Sequence, residues 1–233
     1  MSLTEDLRNQ GFDLIDGPVR SVKVLQMYRK RAFDEVEFYY EHITHAFKMA
    51  NVPVSLPSQA LNVTSSDTDE YGFNIGVSLA NEILSSIGFG ELNLEGKVKA
   101  GKTLTISFND TRCEEVPVGS LDIALATADF IHENKVLLTE ANRNNLIVIT
   151  GLLFAKEFKM ELVMNYAITP EIKAKIEGIL DGNISASFEG QSKVVLIANK
   201  GVEFPVAVKA HRLDFDKGKF KKSILITDNR RFF

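Results

Sequence analysis

Apolar and polar residues alternate with a period of two along several segments of this chain. The alternating segments are 103–108, 158–166, 184–188 and 202–210, and a compact apolar run covers 193–198. In the two clearest segments the apolar positions include Leu104, Ile106, Phe108, Phe158, Met160 and Leu162. Because this period places apolar side chains on one face, it predicts half-buried strands of an antiparallel sheet.

A short helix is predicted at the start of the chain. Ser2 and Glu5 have the spacing of a capping box. Leu3 and Leu7 share one face of the helix that follows, and Gly11 is placed to end it.

Two further helices are predicted between the strands. Ser120 is expected to cap a helix over 121–130, and Thr169 precedes one that runs from Pro170 to about residue 180. The stretch 51–69, with two prolines and a polar run, is interpreted as an exposed loop. These elements predict an α+β fold class: a twisted, mainly antiparallel sheet with helices packed on it.

The segment 74–90 fits two different periods. Ile75, Val77 and Leu79 alternate with small or polar residues, as in a strand. Ile75, Leu79 and Ile83 are also four residues apart, as on one face of a helix. A helix is the interpretation for a soluble monomer, and the strand remains open to the same residues.

Positive charge is concentrated in two stretches, although the formal net charge is -4. Residues 18–33 carry five bases and no acid, and residues 209–233 carry eight bases and three aspartates. The pattern indicates an anionic partner, either nucleic acid or membrane lipid, or else solvated faces of the fold. The bases of the first stretch are Arg20, Lys23, Arg29, Lys30 and Arg31.

Membrane-spanning helices and secretion are not indicated by the sequence. The longest near-continuous apolar run, 146–155, is about half of the ~20 residues that a transmembrane helix needs. The first residues lack the basic start and apolar stretch of a secretory signal, and a single cysteine allows no disulfide within the chain. A cytoplasmic location is therefore expected.

Signatures of enzyme chemistry are missing from the sequence. It contains no phosphate-binding glycine loop followed by lysine and no Gly-x-Ser-x-Gly nucleophile turn. His42 and His45 are either zinc ligands or an exposed helical pair, and no third ligand is evident. We therefore expect no enzyme activity, no metal and no cofactor.

Short motifs along the chain carry a resemblance to a known family. In order they are LRNQGF (7–12), PVRSVKVL (18–25), ILSSIG (83–88), TLTISF (103–108), VGSLD (118–122), LIVITG (146–151) and FPVAVKAHRL (204–213). Their order resembles the pore-forming domain of gasdermins, particularly of the short bacterial, fungal and early-animal type. The resemblance implies one such domain over residues 1–220. Long gasdermins carry a second, autoinhibitory domain, whereas here we expect only a short basic tail over 221–233 and no separate inhibitory domain.

This resemblance implies a membrane pore-forming effector of lytic cell death in innate immunity, cytoplasmic when inactive and at the cell membrane when active. It implies binding to acidic phospholipids through Arg20, Lys23, Arg29, Lys30 and Arg31, with Leu3 and Leu7 dipping into the interface. Regions near 72–110 and 155–200 would refold into transmembrane β-hairpins. Four strands cannot close a barrel with a channel, so a homo-oligomeric ring is required. The expected insertion residues are Ile75, Val77, Leu79, Leu104, Ile106, Phe108, Phe158, Met160 and Leu162.

Cys113 is a candidate regulatory residue, because its polar neighbours predict an exposed thiol. An odd exposed thiol can link two chains, so a Cys113 disulfide dimer before activation is one hypothesis and a plain cysteine is the other. The alternatives to a pore are a lipid-surface binding module that never inserts and, less favoured, a nucleic-acid binder. The 31 acidic residues and the lack of an aromatic–basic motif argue against nucleic acid.

Overall fold

The computed structural model describes most of the chain. The described residues are 3–15, 22–31, 35–58, 63–67, 80, 84, 101–131, 135–178, 180 and 183–226. Arg20, Ile75, Val77 and Leu79 lie outside them.

Four helices and thirteen strands are defined within the described residues. The helices are α1 (Leu3–Asn9), α2 (Val118–Ala126), α3 (Lys135–Asn142) and α4 (Pro170–Glu177), with a 3-10 helix at Ile43–His45. The strands up to residue 115 are β1 (Asp13–Leu14), β2 (Met27–Lys30), β3 (Val36–Tyr40), β4 (Phe47–Lys48), β5 (Leu56–Ser58), β6 (Val63–Asp67), β7 (Gly101–Asn109) and β8 (Arg112–Glu115). The later strands are β9 (Asp129–Phe130), β10 (Leu146–Met164), β11 (Ile184–Glu189), β12 (Lys193–Asp216) and β13 (Lys219–Ile226).

Two long antiparallel strands form the centre of an 11-stranded sheet. β10 has 19 residues and β12 has 24, and they pair from Leu146↔Leu213 to Val163↔Lys193 with three register irregularities near the middle. The first half of β10 is buried on both faces, whereas its second half alternates between buried and half-buried. This explains why the sequence shows an apolar run followed by clean alternation.

Shorter strands line both edges of this central pair. Along β10 they are β2, then β8, then β7, and these pair in turn with β3, β5 and β6. Along β12 they are β13, then β1, then β11. β4 and β9 form a separate two-stranded sheet.

The two ends of the sheet are packed differently. At the Leu146 end, one face of the sheet packs on α2 and α3 through Leu121 and Leu137. The opposite face at that end carries its own apolar cluster, which includes Tyr28 and Ile149. At the Met164 end, the largest core cluster joins β7, β10, β11 and β12 to α1 and α4.

The predicted α+β fold class is confirmed, and the predicted local elements are confirmed in part. Thr169 caps α4 and its side chain accepts a hydrogen bond from the Ile172 amide, as the sequence indicates. The predicted cap at Ser120 is wrong: α2 begins at Val118 behind Pro117, which makes no side-chain cap bond. The predicted loop at 51–69 is wrong in part, because β5 and β6 lie within it.

Two further segments bear on the sequence analysis. In the segment with two periods, the described residues Ala80 and Leu84 are both helical and fully buried, as the helical interpretation predicts. At the other end of the chain, β13 pairs with β12 as far as Ile226. The sheet therefore continues past residue 220, where the predicted tail begins.

Candidate functional site

The alternating residues of β7 and β10 form one apolar face. Phe108 pairs directly with Phe158, Ile106 with Met160, and Leu104 with Leu162. All six side chains are at most 3% exposed, and the rings of Phe108 and Phe158 lie 5.9 Å apart. The structure thus brings together the six predicted insertion residues that it describes, in a set that we call the paired ladder.

The apolar face extends across the neighbouring strands. In β12, Val194, Leu196 and Ala198 pair with Leu162, Met160 and Phe158 of the ladder. Ile184 of β11 pairs in turn with Ala198. Since directly paired residues of an antiparallel sheet point to the same side, these strands share one continuous apolar surface.

Helical residues cover this surface. Leu7 of α1, Ile172 and Ile176 of α4, and the helical residues Ala80 and Leu84 belong to the same buried cluster as the ladder. Leu7 is fully buried, so the expectation that it dips into a membrane interface is wrong for this folded form. The side chain of Leu3 lies outside the described residues.

A buried ion pair anchors α1 beside the sheet. Arg8 Nε donates to Asp13 Oδ1 at 2.8 Å, and the Asp13 side chain is 4% exposed. A pair with one partner buried holds firmly, because separating it leaves a charge in a poorly solvated place. The bond ties the helix that covers the ladder to β1.

The opposite face of the ladder is polar. Thr103, Thr105 and Ser107 alternate with the apolar residues of β7 and are half-buried. On β10 and β12, Glu161 accepts ion pairs from Lys159 at 2.6 Å and from Lys193 at 3.5 Å. The sheet therefore has one face suited to lipid or core and one suited to water.

A second feature is a groove beside β2, which we call the basic groove. Its lining encloses about 250 Å³ and consists of Arg29, Lys30, Arg31, Glu140, Arg143 and Asn145. Three of these residues were predicted to bind lipid. Arg143 was not, because it is brought here by the pairing of Leu146 with Arg29, and no short-range pattern in the sequence reports that contact.

Two of the predicted lipid-binding bases share one carboxylate. Arg29 Nε lies 2.8 Å and Arg31 Nε 3.3 Å from Glu37 Oε2. The hydrogen bond with Glu37 raises the pKa of Arg29, and the same bond lowers the pKa of Glu37. The Arg29 guanidinium also stacks over the Tyr39 ring at 5.0 Å. Arg29 is thus held in place, while Arg31 is exposed at the rim.

Lys23 lies apart from the basic groove. It lines a cavity of about 410 Å³ with Val22, His42, Glu114 and Phe154 among its neighbours. The structure therefore separates the predicted lipid-binding bases. Arg29, Lys30 and Arg31 are together, Lys23 is elsewhere, and Arg20 lies outside the described residues.

The expected exposure of Cys113 is wrong. Its side chain is fully buried in the core cluster, in β8 between Leu153 of β10 and Ser58 of β5. The polar residues beside it in sequence point away from this core, as alternation along a strand requires. A disulfide between two copies needs a sulfur at the surface, so the redox dimer is overturned in this folded form.

The histidine pair belongs to a local turn. His42 caps the 3-10 helix, and its Nδ1 lies 2.7 Å from Thr44 Oγ1 and accepts from the Thr44 amide at 3.3 Å. Burial, and then the neighbouring His45, lower the pKa of His42. Within the described residues, no group of three or more candidate ligands is placed to hold a metal ion. In the same part of the chain, no helix has the length and apolar character needed to cross a bilayer.

Fold and site together define an α+β protein built on one twisted antiparallel sheet, with an amphipathic ladder hidden under helices. A family model described as the Bacterial Gasdermin Family matches residues 15–219, and the chain belongs to that family. This confirms the resemblance drawn from the sequence motifs.

A solved structure supports the fold. The chain is similar to a bacterial gasdermin from Bradyrhizobium tropiciagri at 10% sequence identity and a TM-score of 0.62, covering 96% of this chain and 91% of that one. A match to the cryo-EM structure of the Gasdermin A3 membrane pore has 12% identity and a TM-score of 0.35, covering 98% of this chain and 96% of that one. No curated protein sequence matches the chain.

Proposed function

We propose that this chain is a membrane pore-forming effector rather than an enzyme. In this proposal it binds acidic phospholipids, assembles into a homo-oligomeric ring and refolds two regions, about 72–110 and 155–200, into transmembrane β-hairpins. It passes from the cytoplasm to the cell membrane on activation and kills the cell by lysis. Membership of the gasdermin family supports the class of function, and the paired ladder supports the mechanism.

The length and pattern of the ladder suit a membrane-spanning strand. β7 has nine residues, and a transmembrane strand needs about 9–11. β7 pairs with β10 from Gly101↔Met164 to Asn109↔Glu157. Its apolar face would meet lipid and its polar face a water-filled lumen, which is the alternation found in transmembrane barrels.

Insertion requires the covering helices to leave the ladder. The apolar face is now shielded from water by α1, α4 and the helical residues Ala80 and Leu84. Lipid can replace these helices at little cost in hydrophobic free energy, because both surroundings exclude water. In lipid, however, an open sheet edge leaves backbone groups unpaired, so strands from several copies must close into a ring.

Dye release from vesicles tests the proposal. We expect release from vesicles that contain phosphatidylserine or cardiolipin and none from neutral phosphatidylcholine vesicles. Binding without release supports the alternative, a lipid-surface module that never inserts. Failure to bind acidic vesicles contradicts both.

Insertion itself can be followed with a single tryptophan, because the chain has none. Acidic substitutions in the ladder do not suit this test, because Ile106 is 1% exposed and a buried charge there would unfold the protein. Phe108→Trp keeps an aromatic side chain at the ladder. We expect its fluorescence to be quenched by brominated lipids only if the strand enters the bilayer.

A matched control is available in the other core cluster. Phe47 of β4 is 1% exposed, packs parallel to Phe215 and belongs to a different core cluster from the ladder. Phe47→Trp should stay unquenched on the same vesicles. Equal quenching of both variants would indicate general unfolding on the membrane, and no quenching of Phe108→Trp would rule out insertion of β7.

A further inference from the structure

Helix α3 exposes aliphatic side chains on its solvent side. Its buried residues are Leu137 and Ala141, which pack into the core beneath it. On the solvent side, Val136 is 56% and Leu138 39% exposed, and Lys135 is exposed beside them. Exposed aliphatic side chains next to a basic residue on a surface helix are also found in helices that lie in a membrane interface.

The turn between β12 and β13 is fixed against one flank of α3. The Gly218 amide donates to Asn142 Oδ1 at 2.7 Å, and the Phe215 amide donates to Asn144 Oδ1 at 2.8 Å. A side chain at Gly218 would meet Leu138 at 2.9 Å, so the turn and the helix are in close contact. The turn therefore holds Lys217 and Lys219, both exposed, next to the aliphatic residues of α3.

The basic groove lies on the other flank of the same helix. Glu140, which lines that groove, follows Val136 by four residues and so occupies its side of the helix, and Arg143 of the groove lies just beyond the end of α3. The exposed aliphatic residues of α3 thus lie between two groups of cations. Among the described residues, Lys135, Lys217 and Lys219 form no ion pair with any acidic side chain.

We propose that α3 and the β12–β13 turn form a docking surface for anionic lipid headgroups, continuous with the basic groove. We call it the α3 surface: Lys135, Val136, Leu138, Lys217 and Lys219. This inference rests on the proposed function, since it names how the protein first meets the membrane. Because all five residues are exposed in the folded form described here, docking precedes any rearrangement of the ladder.

Charge and apolar contact together select this occupant. A second copy presenting the same surface would be repelled, since like charges would face each other. A nucleic-acid backbone would satisfy the lysines but offers no apolar layer to Val136 and Leu138. An anionic membrane satisfies both, and each lysine near such a surface favours binding roughly fivefold.

Co-sedimentation with vesicles of 30% phosphatidylserine in phosphatidylcholine measures docking separately from dye release. We expect the triple variant Lys135→Gln, Lys217→Gln, Lys219→Gln to bind at least tenfold more weakly than the unaltered chain. The corresponding triple replacement by arginine, which keeps the charge, should bind like the unaltered chain. Circular dichroism checks that both remain folded.

The apolar contribution has its own matched pair. Val136→Ser with Leu138→Ser should weaken binding severalfold. Ile123→Ser, at a residue of α2 that is 72% exposed and does not belong to the α3 surface, should leave it unchanged. If Ile123→Ser is equally harmful, the apolar contact is not specific to α3 and the proposed surface is wrong.

The outcomes separate this inference from the function on which it rests. If the unaltered chain binds and releases dye, and the glutamine variant does so equally well, the α3 surface is refuted and the pore stands. If the unaltered chain binds no acidic vesicles, both fail. Binding to duplex DNA in place of vesicles, lost in the glutamine variant, would assign the lysines to nucleic acid and overturn the lipid surface.

Discussion

Thr150 Oγ1 lies 2.8 Å from His211 Nδ1 toward the Leu146 end of the central strand pair, where both residues are almost completely buried. Burial lowers the pKa of His211 to about 4, helped by the charge of Lys209 and opposed by Asp122 and Glu115. The imidazole is therefore neutral in the folded protein at neutral pH.

Because the pKa of His211 is lowered, we expect the folded protein to lose stability in mild acid. The folded protein binds fewer protons at His211 than the unfolded chain between the ordinary pKa of about 6.5 and the folded value of about 4. The stabilisation is complete above that window and is lost as the pH falls through it, by up to about 3 kcal/mol. Denaturant unfolding at pH 7 and pH 5 should show this loss, and His211→Gln should show a smaller one. Identical pH dependence in both proteins would contradict the assignment.

Gly151 permits the close approach of three strands. A Cβ there would lie 3.1 Å from both Glu115 Cγ and Lys209 Cβ, whose side chains form an ion pair of 3.0 Å. Gly151→Val should destabilise the protein by roughly 1–3 kcal/mol through overpacking. Gly119→Ala in α2, where the added carbon meets nothing within 4 Å, should be neutral or stabilising by up to about 1 kcal/mol. Thermal unfolding compares the two.

The Arg8–Asp13 ion pair should contribute more to the free energy of unfolding than an exposed ion pair does. Arg8→Met leaves the carboxylate of Asp13, 4% exposed, without its guanidinium and should cost roughly 2–4 kcal/mol. Lys173→Met, which removes an exposed pair with Glu177, should cost less than about 0.5 kcal/mol. Urea unfolding measures both, and hydrogen exchange in α1 should rise only in Arg8→Met. Similar costs for the two variants would mean that α1 is not held by this bond.

Because Cys113 is buried, we expect its thiol to react slowly with reagents in solution. Ellman's reagent should react with the native protein far more slowly than with the unfolded chain, since the sulfur is reached only through opening of the fold. Added reductant should leave the oligomeric state unchanged. Rapid reaction of the native protein, at the rate of a free thiol in water, would contradict this burial.

The sequence predicts the strands of the ladder because alternation is a local property. Leu104, Ile106 and Phe108 alternate without interruption, and so do their partners Phe158, Met160 and Leu162. The alternation in the sequence does not predict that β10 and β12 are each one continuous strand. Near Gly151 the register shifts between the two strands, and this irregularity interrupts the two-residue alternation that identifies a strand.

The candidate site was predictable only where its residues are neighbours in sequence. Arg29, Lys30 and Arg31 are consecutive, and they do line one groove. Arg143 enters that groove through pairing between distant strands, and Cys113 is buried because it alternates with Arg112 and Glu114 on β8. The polarity of its sequence neighbours therefore predicted the wrong environment for Cys113.

The length of β10 has a consequence for how the molecule can approach a bilayer. Arg29 pairs with Leu146 at one end of the strand, and Ile106 pairs with Met160, fourteen residues further along. At about 3.3 Å per residue, a straight strand places these points up to about 46 Å apart. That reach exceeds the hydrocarbon thickness of roughly 30 Å. If the end of β10 beside Arg29 contacts the membrane and β10 is perpendicular to it, the ladder lies wholly above the lipid. Insertion then requires the domain to tilt or its hairpins to lengthen.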